Sequence, residues 1–291
     1  MTKLRQIDEY IIEKLIALAG ITSIILVALI FFLLLKESLS LFTTIPLSDF
    51  LGGKYWYPIS DPAKFGILPL ILGSIVVTLG AMVISIPLGI IGAVYISEIA
   101  PDYIREYLKS GVELIAAIPS VVIGFVGIVT IIPLIKSMFN LPTGLTALTG
   151  SVVLAFMSLP LIVSLSEDAI RGVPNSYREA SLALGATRWQ TIYRVIVPAA
   201  LSGIVASIML GIGRAVGETM AVMMVTGNAA VIPQSILKPV RTLTATVAAE
   251  MGETVQNSDH FYGLFAIGLV LFIIVFMINF SASFFLKKVK R

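Results

Sequence analysis

The chain has 291 residues, 57% of them hydrophobic and 13% charged, with a mean hydropathy of +1.00, which excludes an ordinary soluble domain and points to an integral membrane protein. A net charge of +3 is too small to imply a nucleic-acid partner. The absence of Cys removes disulfides, thiolate metal sites and thiol nucleophiles, and a single His, His260, argues against a histidine-based metal or catalytic centre.

The N-terminus, MTKLRQIDEYIIEK, is charged over a long reach and no small-residue cleavage signal follows it. The first apolar run is therefore expected to stay in place as an uncleaved anchor. A helix crosses the hydrocarbon core in about 20 apolar residues, and lipid offers the backbone nothing to bond, so long uncharged runs read as helices. Six runs qualify: residues 15–35, 67–97, 114–135, 145–166, 200–225 and 261–286. The second is long for one crossing, and Pro87 near its middle gives it a place to bend. Only the fifth contains charges. The expected fold is an all-α polytopic bundle of six transmembrane helices. Its domains are an anchor helix with an outer loop at 1–64, a membrane domain at 65–286, and a basic tail at 287–291.

Six crossings put both termini on one side, and the cations say which. Thirteen fall on the terminal side: Lys3, Arg5, Lys14, Arg105, Lys109, Arg171, Arg178, Arg188, Arg194, Lys287, Lys288, Lys290 and Arg291. Six fall opposite, at Lys36, Lys54, Lys64, Lys136, Lys238 and Arg241, so both termini are expected in the cytoplasm. Trp56, with Tyr55 and Tyr57, is then expected at the outer membrane interface. The stretch GGKYW at 52–56 lacks the glycine spacing and the Ser/Thr of a phosphate-binding loop, so any use of ATP must come from another subunit.

Between runs four and five, residues 170–198 contain VPNSYREASLALGATRWQTIYRVIVP. Ser176 and Glu179 have capping-box spacing, Gly185 suits the left-handed position that ends a helix, and Thr187 with Gln190 repeats the capping box. This reads as helix, tight turn, helix. Two uses are open: a hairpin lying on anionic lipid through Arg178, Arg188 and Arg194, or a docking site for a partner.

As a motif, Glu179, Ala180 and Ser181, then Gly185, then Val195, Val197 and Pro198 resemble the "EAA, three residues, G, nine residues, I-x-L-P" loop of permeases in binding-protein-dependent ABC importers. Ser181, Val195 and Val197 depart from that pattern by small or apolar exchanges. The resemblance implies a type I importer permease in which this loop docks in a groove of an ATPase. The docking residues would be Arg178, Glu179, Ala180, Ser181, Leu182, Ala183, Leu184, Gly185 and Ala186. The stretches AAIPSVVIGFVGIVTIIPL, GIGRAVGETMAV, RTLTATVAAEMGE and LFAIGLVLFIIVFMIN narrow the resemblance to the PstC family of the phosphate-specific importer. It implies a heterodimer with a PstA-like sister permease, two PstB-like ATPases using ATP and Mg, and a PstS-like extracytoplasmic phosphate-binding protein. It also implies a non-catalytic chain in the cell's inner membrane with no cofactor of its own.

The fifth run sets Arg214 and Glu218 in mid-membrane, where a charge facing lipid costs about 2.5 to 3.5 kcal/mol. On a straight helix they share one face. They read either as a structural ion pair, with Glu113 as a further partner, or as part of the substrate path. In the second case the Arg214 guanidinium binds phosphate oxygens and Glu218 balances its charge when the path is empty. Gly211, Gly213 and Gly217 read as helix-packing positions, as do Gly89, Gly92, Gly124 and Gly127.

Glu167 and Asp168 read as solvated interfacial charges, since no nucleophile or metal ligand accompanies them. Arg241, Glu250 and Glu253 read as part of an outer mouth or as a plain surface helix. Competing functions are a permease for another oxyanion, an intramembrane enzyme acting on a phosphate-bearing lipid, and a passive anion channel. The enzyme lacks a nucleophile with its base.

Overall fold

The computed structural model describes the backbone of residues 2–289 and the side chains of residues 12–281. Lys290 and Arg291 of the expected basic tail lie outside the described residues.

Helix α1, Thr2–Leu41, is apolar on all sides over its membrane-length part and lies against the last helix, α12, Asp259–Val289. It touches little else, as expected of a helix facing lipid. A short helix α2, Leu47–Gly52, and a two-residue antiparallel pair, β1 Trp56–Tyr57 with β2 Lys64–Phe65, follow at one end of the bundle. Here Trp56 differs from its expected place at the membrane interface. It is 2% exposed, packs edge-on to Phe65, and donates from Nε1 to Glu250 Oε2 at 2.9 Å. Its flanking rings Tyr55 and Tyr57 are the exposed ones, because alternation along an extended segment sends neighbours to opposite faces.

Helix α3, Leu68–Ile99, runs unbroken through Pro87 and closes in a π-turn over Tyr95–Ile99. It packs along α6, Ala147–Arg171, the most buried helix of the molecule. The expected third crossing is corrected at its start. Residues 114–116 belong to a separate amphipathic helix α4, Asp102–Ala116, and the crossing is α5, Ser120–Met138. The cause is Pro119, which disfavours helical geometry at Ile118 and starts the new helix with its fixed φ. Five charged residues, Asp102, Arg105, Glu106, Lys109 and Glu113, keep α4 at the surface. Glu113 is exposed there and makes no contact with Arg214, so it is not the further partner once expected.

After α6 come α7, Asn175–Ala183, and α8, Arg188–Ala199. Helix α9, Leu201–Gly217, leaves α8 at an angle of 67°. Then come α10, Met220–Val225, and α11, Leu243–Glu250, near the hairpin end. Among the described residues, five helices are long and apolar enough to cross a membrane, and six if the bent α8–α9 pair is one crossing. Five of the seven glycines read as packing positions do pack: a Cβ on Gly89 or Gly211 would strike Ile162, and one on Gly92, Gly124 or Gly127 would meet Val163, Ala221 or Val153, whereas a Cβ on Gly213 or Gly217 would be in nearly open space, which corrects the expectation there. Among the described residues four apolar clusters fill the bundle, one of them joining Val153 and Met157 of α6 to Ala221 and Val225 of α10. Another joins Phe50, Trp56, Leu243 and Leu264 at the hairpin end. A middle one joins Val77, Leu154, Ala215 and Val222, and the last joins Ala93, Ile170, Ile196 and Ile204 where α7 and α8 attach.

Candidate functional site

Helix α9 buries one face and opens the other. Ile204, Ser207, Gly211 and Ala215 recur at helical spacing and lie against α6, where the Ser207 and Ser166 hydroxyls meet at 2.6 Å. On the far side Leu210, Arg214 and Gly217 stand at i, i+4 and i+7, all exposed, and a Cβ on Gly217 would meet nothing within 4 Å. Among the described residues Arg214 has no hydrogen-bond or ion-pair partner.

The shared helical face expected for Arg214 and Glu218 is corrected. Helix α9 ends at Gly217, and Glu218 is extended at φ −67°, ψ 133°. Gly217 costs about 1 kcal/mol relative to Ala in a helix interior, and the Glu218 and Thr219 side chains offer the backbone another way to be satisfied. Glu218 Oε1 accepts from the Ala221 amide at 3.2 Å, Thr219 Oγ1 donates to the Gly217 carbonyl, and Thr244 Oγ1 of α11 donates to the Glu218 carbonyl at 2.8 Å. The crossing is thus a broken helix whose freed groups are held by neighbours, the condition for irregular backbone at membrane depth. Glu218 spends its carboxylate on this join, and among the described residues it makes no ion pair with Arg214.

The α7–α8 hairpin forms as the turn chemistry requires. Gly185 sits at φ +83°, its amide donates to Leu182 O at 2.9 Å, and the Ala186 amide donates to Ser181 O at 3.2 Å. These are the two bonds of a Schellman end. Thr187 and Gln190 make both bonds of a capping box. The first expected cap is corrected: Pro174 occupies the cap position, α7 begins at Asn175, and Ser176 lies inside the first turn with no capping bond. A proline of fixed φ that extends its predecessor starts the helix two residues too early for a Ser176–Glu179 box.

Ser181 is buried and its hydroxyl lies 2.9 Å from Thr191 Oγ1, which ties α7 to α8. The hairpin's outer face is apolar, with Leu182 at 52% and Leu184 at 89% exposure beside exposed Ala180 and Ala183. Glu179 is exposed and Ala186 half-buried. Arg178 turns inward to Glu98, and Arg188 Nη2 donates to the Glu98 carbonyl, so two of the three cations available for lipid headgroups are held by protein.

Two features went unseen in the sequence. Glu98 follows an apolar run and precedes Ile-Ala-Pro, where it looks like an ordinary helix-end acid. Glu167 was expected to be solvated but is 1% exposed, and Lys109 Nζ of α4 lies 2.7 Å from its Oε2 while also pairing with Asp168. Burial works against the Lys109 charge, but the Asp168 and Glu167 carboxylates outweigh it and hold that ammonium above its ordinary pKa. Asp168 is the solvated member of the pair, at 55% side-chain exposure.

At the hairpin end, Glu250 gathers Arg241, His260 and Trp56 around one carboxylate. Beside it opens a cavity of about 630 Å³, bordered by Ile59, Asn228, Val231 and Glu253 as well. Its wall is built from both the β1–β2 pair and α11, so Arg241, Glu250 and Glu253 border a cavity rather than lying on a plain surface helix. No group of acidic, His or Cys side chains with metal-binding spacing occurs among the described residues.

Residues 85–291 match the family described as binding-protein-dependent transport system inner membrane component. The chain is 43% identical over 229 residues to the probable ABC transporter permease protein YqgH of Bacillus subtilis (strain 168), covering 79% of this chain and 74% of that one. It is 36% identical over 260 residues to the phosphate transport system permease protein PstC of Mesorhizobium japonicum, covering 83% and 79%. Among solved structures, a bacterial ABC transporter involved in alginate import matches with a TM-score of 0.64 at 13% identity, covering 98% of this chain and 100% of that chain. The MetNI methionine ABC transporter in an inward-facing form matches with a TM-score of 0.57 at 23% identity, covering 78% and 95%. Those two likenesses are of fold.

Proposed function

As the chain belongs to the family of binding-protein-dependent transport system inner membrane components, we propose that it is the permease subunit of an ATP-driven importer that carries inorganic phosphate into the cytoplasm. The observation that carries the substrate is its 36% identity, over 83% of its length, to a permease named for phosphate transport. In this reading the α7–α8 hairpin and both termini face the cytoplasm, in accord with the distribution of Lys and Arg. Two ATPase subunits supply ATP and Mg chemistry, one of them receiving Leu182 and Leu184, and this chain holds no cofactor and catalyses nothing itself. The sister permease faces the open side of α9. The binding protein delivers phosphate at the opposite end, where the β1–β2 pair and α11 border the cavity.

Arg214 is the residue proposed to meet the anion. A guanidinium exposed on a mid-membrane helix and, among the described residues, without a protein partner is costly to keep unless water or substrate reaches it. Its planar donors suit a tetrahedral oxyanion. The test is ATP hydrolysis by the purified complex. A phosphate-loaded binding protein stimulates it under this reading, whereas stimulation only by a sulfate- or molybdate-loaded protein would assign another oxyanion.

A further inference from the structure

Glu98 stands in the π-turn that ends α3, with its side chain 10% exposed, and both helices of the α7–α8 hairpin hold it. From α7, Arg178 Nε lies 3.1 Å and 3.3 Å from the two carboxylate oxygens, and Nη2 completes the fork on Oε1. From α8, Arg188 Nη2 donates to the Glu98 carbonyl. The same Arg178 guanidinium donates from Nη1 to Val173 O at 2.7 Å and from Nη2 to Ile170 O at 3.3 Å, carbonyls at the end of α6. One planar cation therefore joins the hairpin to the ends of α3 and α6, the two helices that pack most closely in the bundle.

The π-turn makes this possible. Its wider ring sends the Ala100 amide to Tyr95 O and leaves carbonyls that an ordinary last turn would have used. Arg105 of α4 takes Ile96 O, which an α-turn would have given to the Ala100 amide, at 2.9 Å, and the terminal Ala100 O at 3.3 Å, so the end of α3 is held by arginines from three other helices. By contrast, the apolar face of α7 carrying Leu182 and Leu184 is left open. Arg178 is directed away from any docked partner.

We propose that the Arg178–Glu98 pair is the linkage that passes movement of the hairpin to α3 and α6, distinct from the surface that binds the ATPase. It rests on the importer reading above. Without the fork, the hairpin keeps Ser181–Thr191 and its Schellman turn, so it stays folded and still docks, but its attachment to the crossing helices loosens.

The experiment uses the complete complex in proteoliposomes with Glu98→Gln, Arg178→Gln and a Glu98→Cys/Arg178→Cys double variant. This chain has no native Cys, so within it the cross-linker can join only the two introduced positions. Co-purification of the ATPase, ATP hydrolysis and phosphate uptake are read together. The expected result is normal co-purification, sustained hydrolysis, and phosphate moved per ATP lower by about tenfold, the scale of a typical coupling term. Joining the two cysteines with a short bis-maleimide should raise that ratio again in the same protein, so misfolding is not the explanation. An unchanged ratio in both Gln variants, a ratio that cross-linking leaves low, or loss of ATPase binding in Arg178→Gln would each overturn the linkage. A wild-type complex that takes up no phosphate would instead overturn the importer reading.

Discussion

Arg214 and Glu218 divide the labour of the broken crossing, one facing outward and one holding the join. Replacing Arg214 with Gln should abolish uptake while the complex still assembles, because the side chain is exposed and supports no contact among the described residues. Replacing Glu218 with Gln should leave most uptake intact. An amide oxygen still accepts from the Ala221 amide, whereas Ala at 218 removes that acceptor and should cost about 1 kcal/mol of stability, as at other helix caps. Thermal unfolding in detergent and vesicle uptake, measured on both Glu218 variants, separate a structural carboxylate from one that balances Arg214. The Lys109 clamp makes the third residue-scale prediction. Lys109→Met strands a buried Glu167 carboxylate and should cost about 3 kcal/mol, seen as a lowered unfolding temperature. Because the Lys109 pKa is raised above its ordinary 10.5, the Lys109 charge contributes fully at neutral pH and its contribution is lost on the alkaline side as pH rises through that raised value. A stability profile of wild type against Lys109→Met should therefore keep its full difference through neutral and mildly alkaline pH and converge in strong alkali.

The hairpin shows what local sequence can specify. Gly185 and the Thr187–Gln190 box act within a few residues of chain, and both take the form that their spacing implies. Gly185→Ala places a Cβ in the left-handed region at a cost of about 1 to 2 kcal/mol, and should weaken ATPase co-purification by tilting α8 against α7. Leu184→Asp should abolish co-purification without changing the unfolding temperature, since that side chain is 89% exposed. The start of α7 was less legible because two helix-starting signals, Pro174 and Ser176, compete within three residues and the proline acts first. The break at Gly217–Glu218 was legible only in part. An apolar run shows where chain crosses the membrane, but the Thr244 hydroxyl that satisfies the break comes from a segment 26 residues further on.

Across the whole molecule, the order and membrane character of the crossings follow from apolar run length, since lipid leaves the backbone few alternatives. The tertiary ion pairs do not follow from it. Lys109 finds Glu167 across 58 residues and Arg178 finds Glu98 across 80, and in sequence each charge looks like an ordinary end-of-helix residue. The same gap hid Trp56, whose buried place depends on Glu250 far along the chain. What the assembled bundle leaves unpartnered is the apolar face of α7 at one end and the Arg214 strip along α9. Both fit a subunit completed by partners, and the central claim is that the completed complex moves phosphate past Arg214. The most direct measurement is ATP-driven uptake of radiolabelled phosphate into proteoliposomes holding the full complex and its binding protein, with excess sulfate as competitor. The account predicts uptake that sulfate leaves unchanged and that Arg214→Gln removes; full uptake by the Arg214→Gln complex would contradict it.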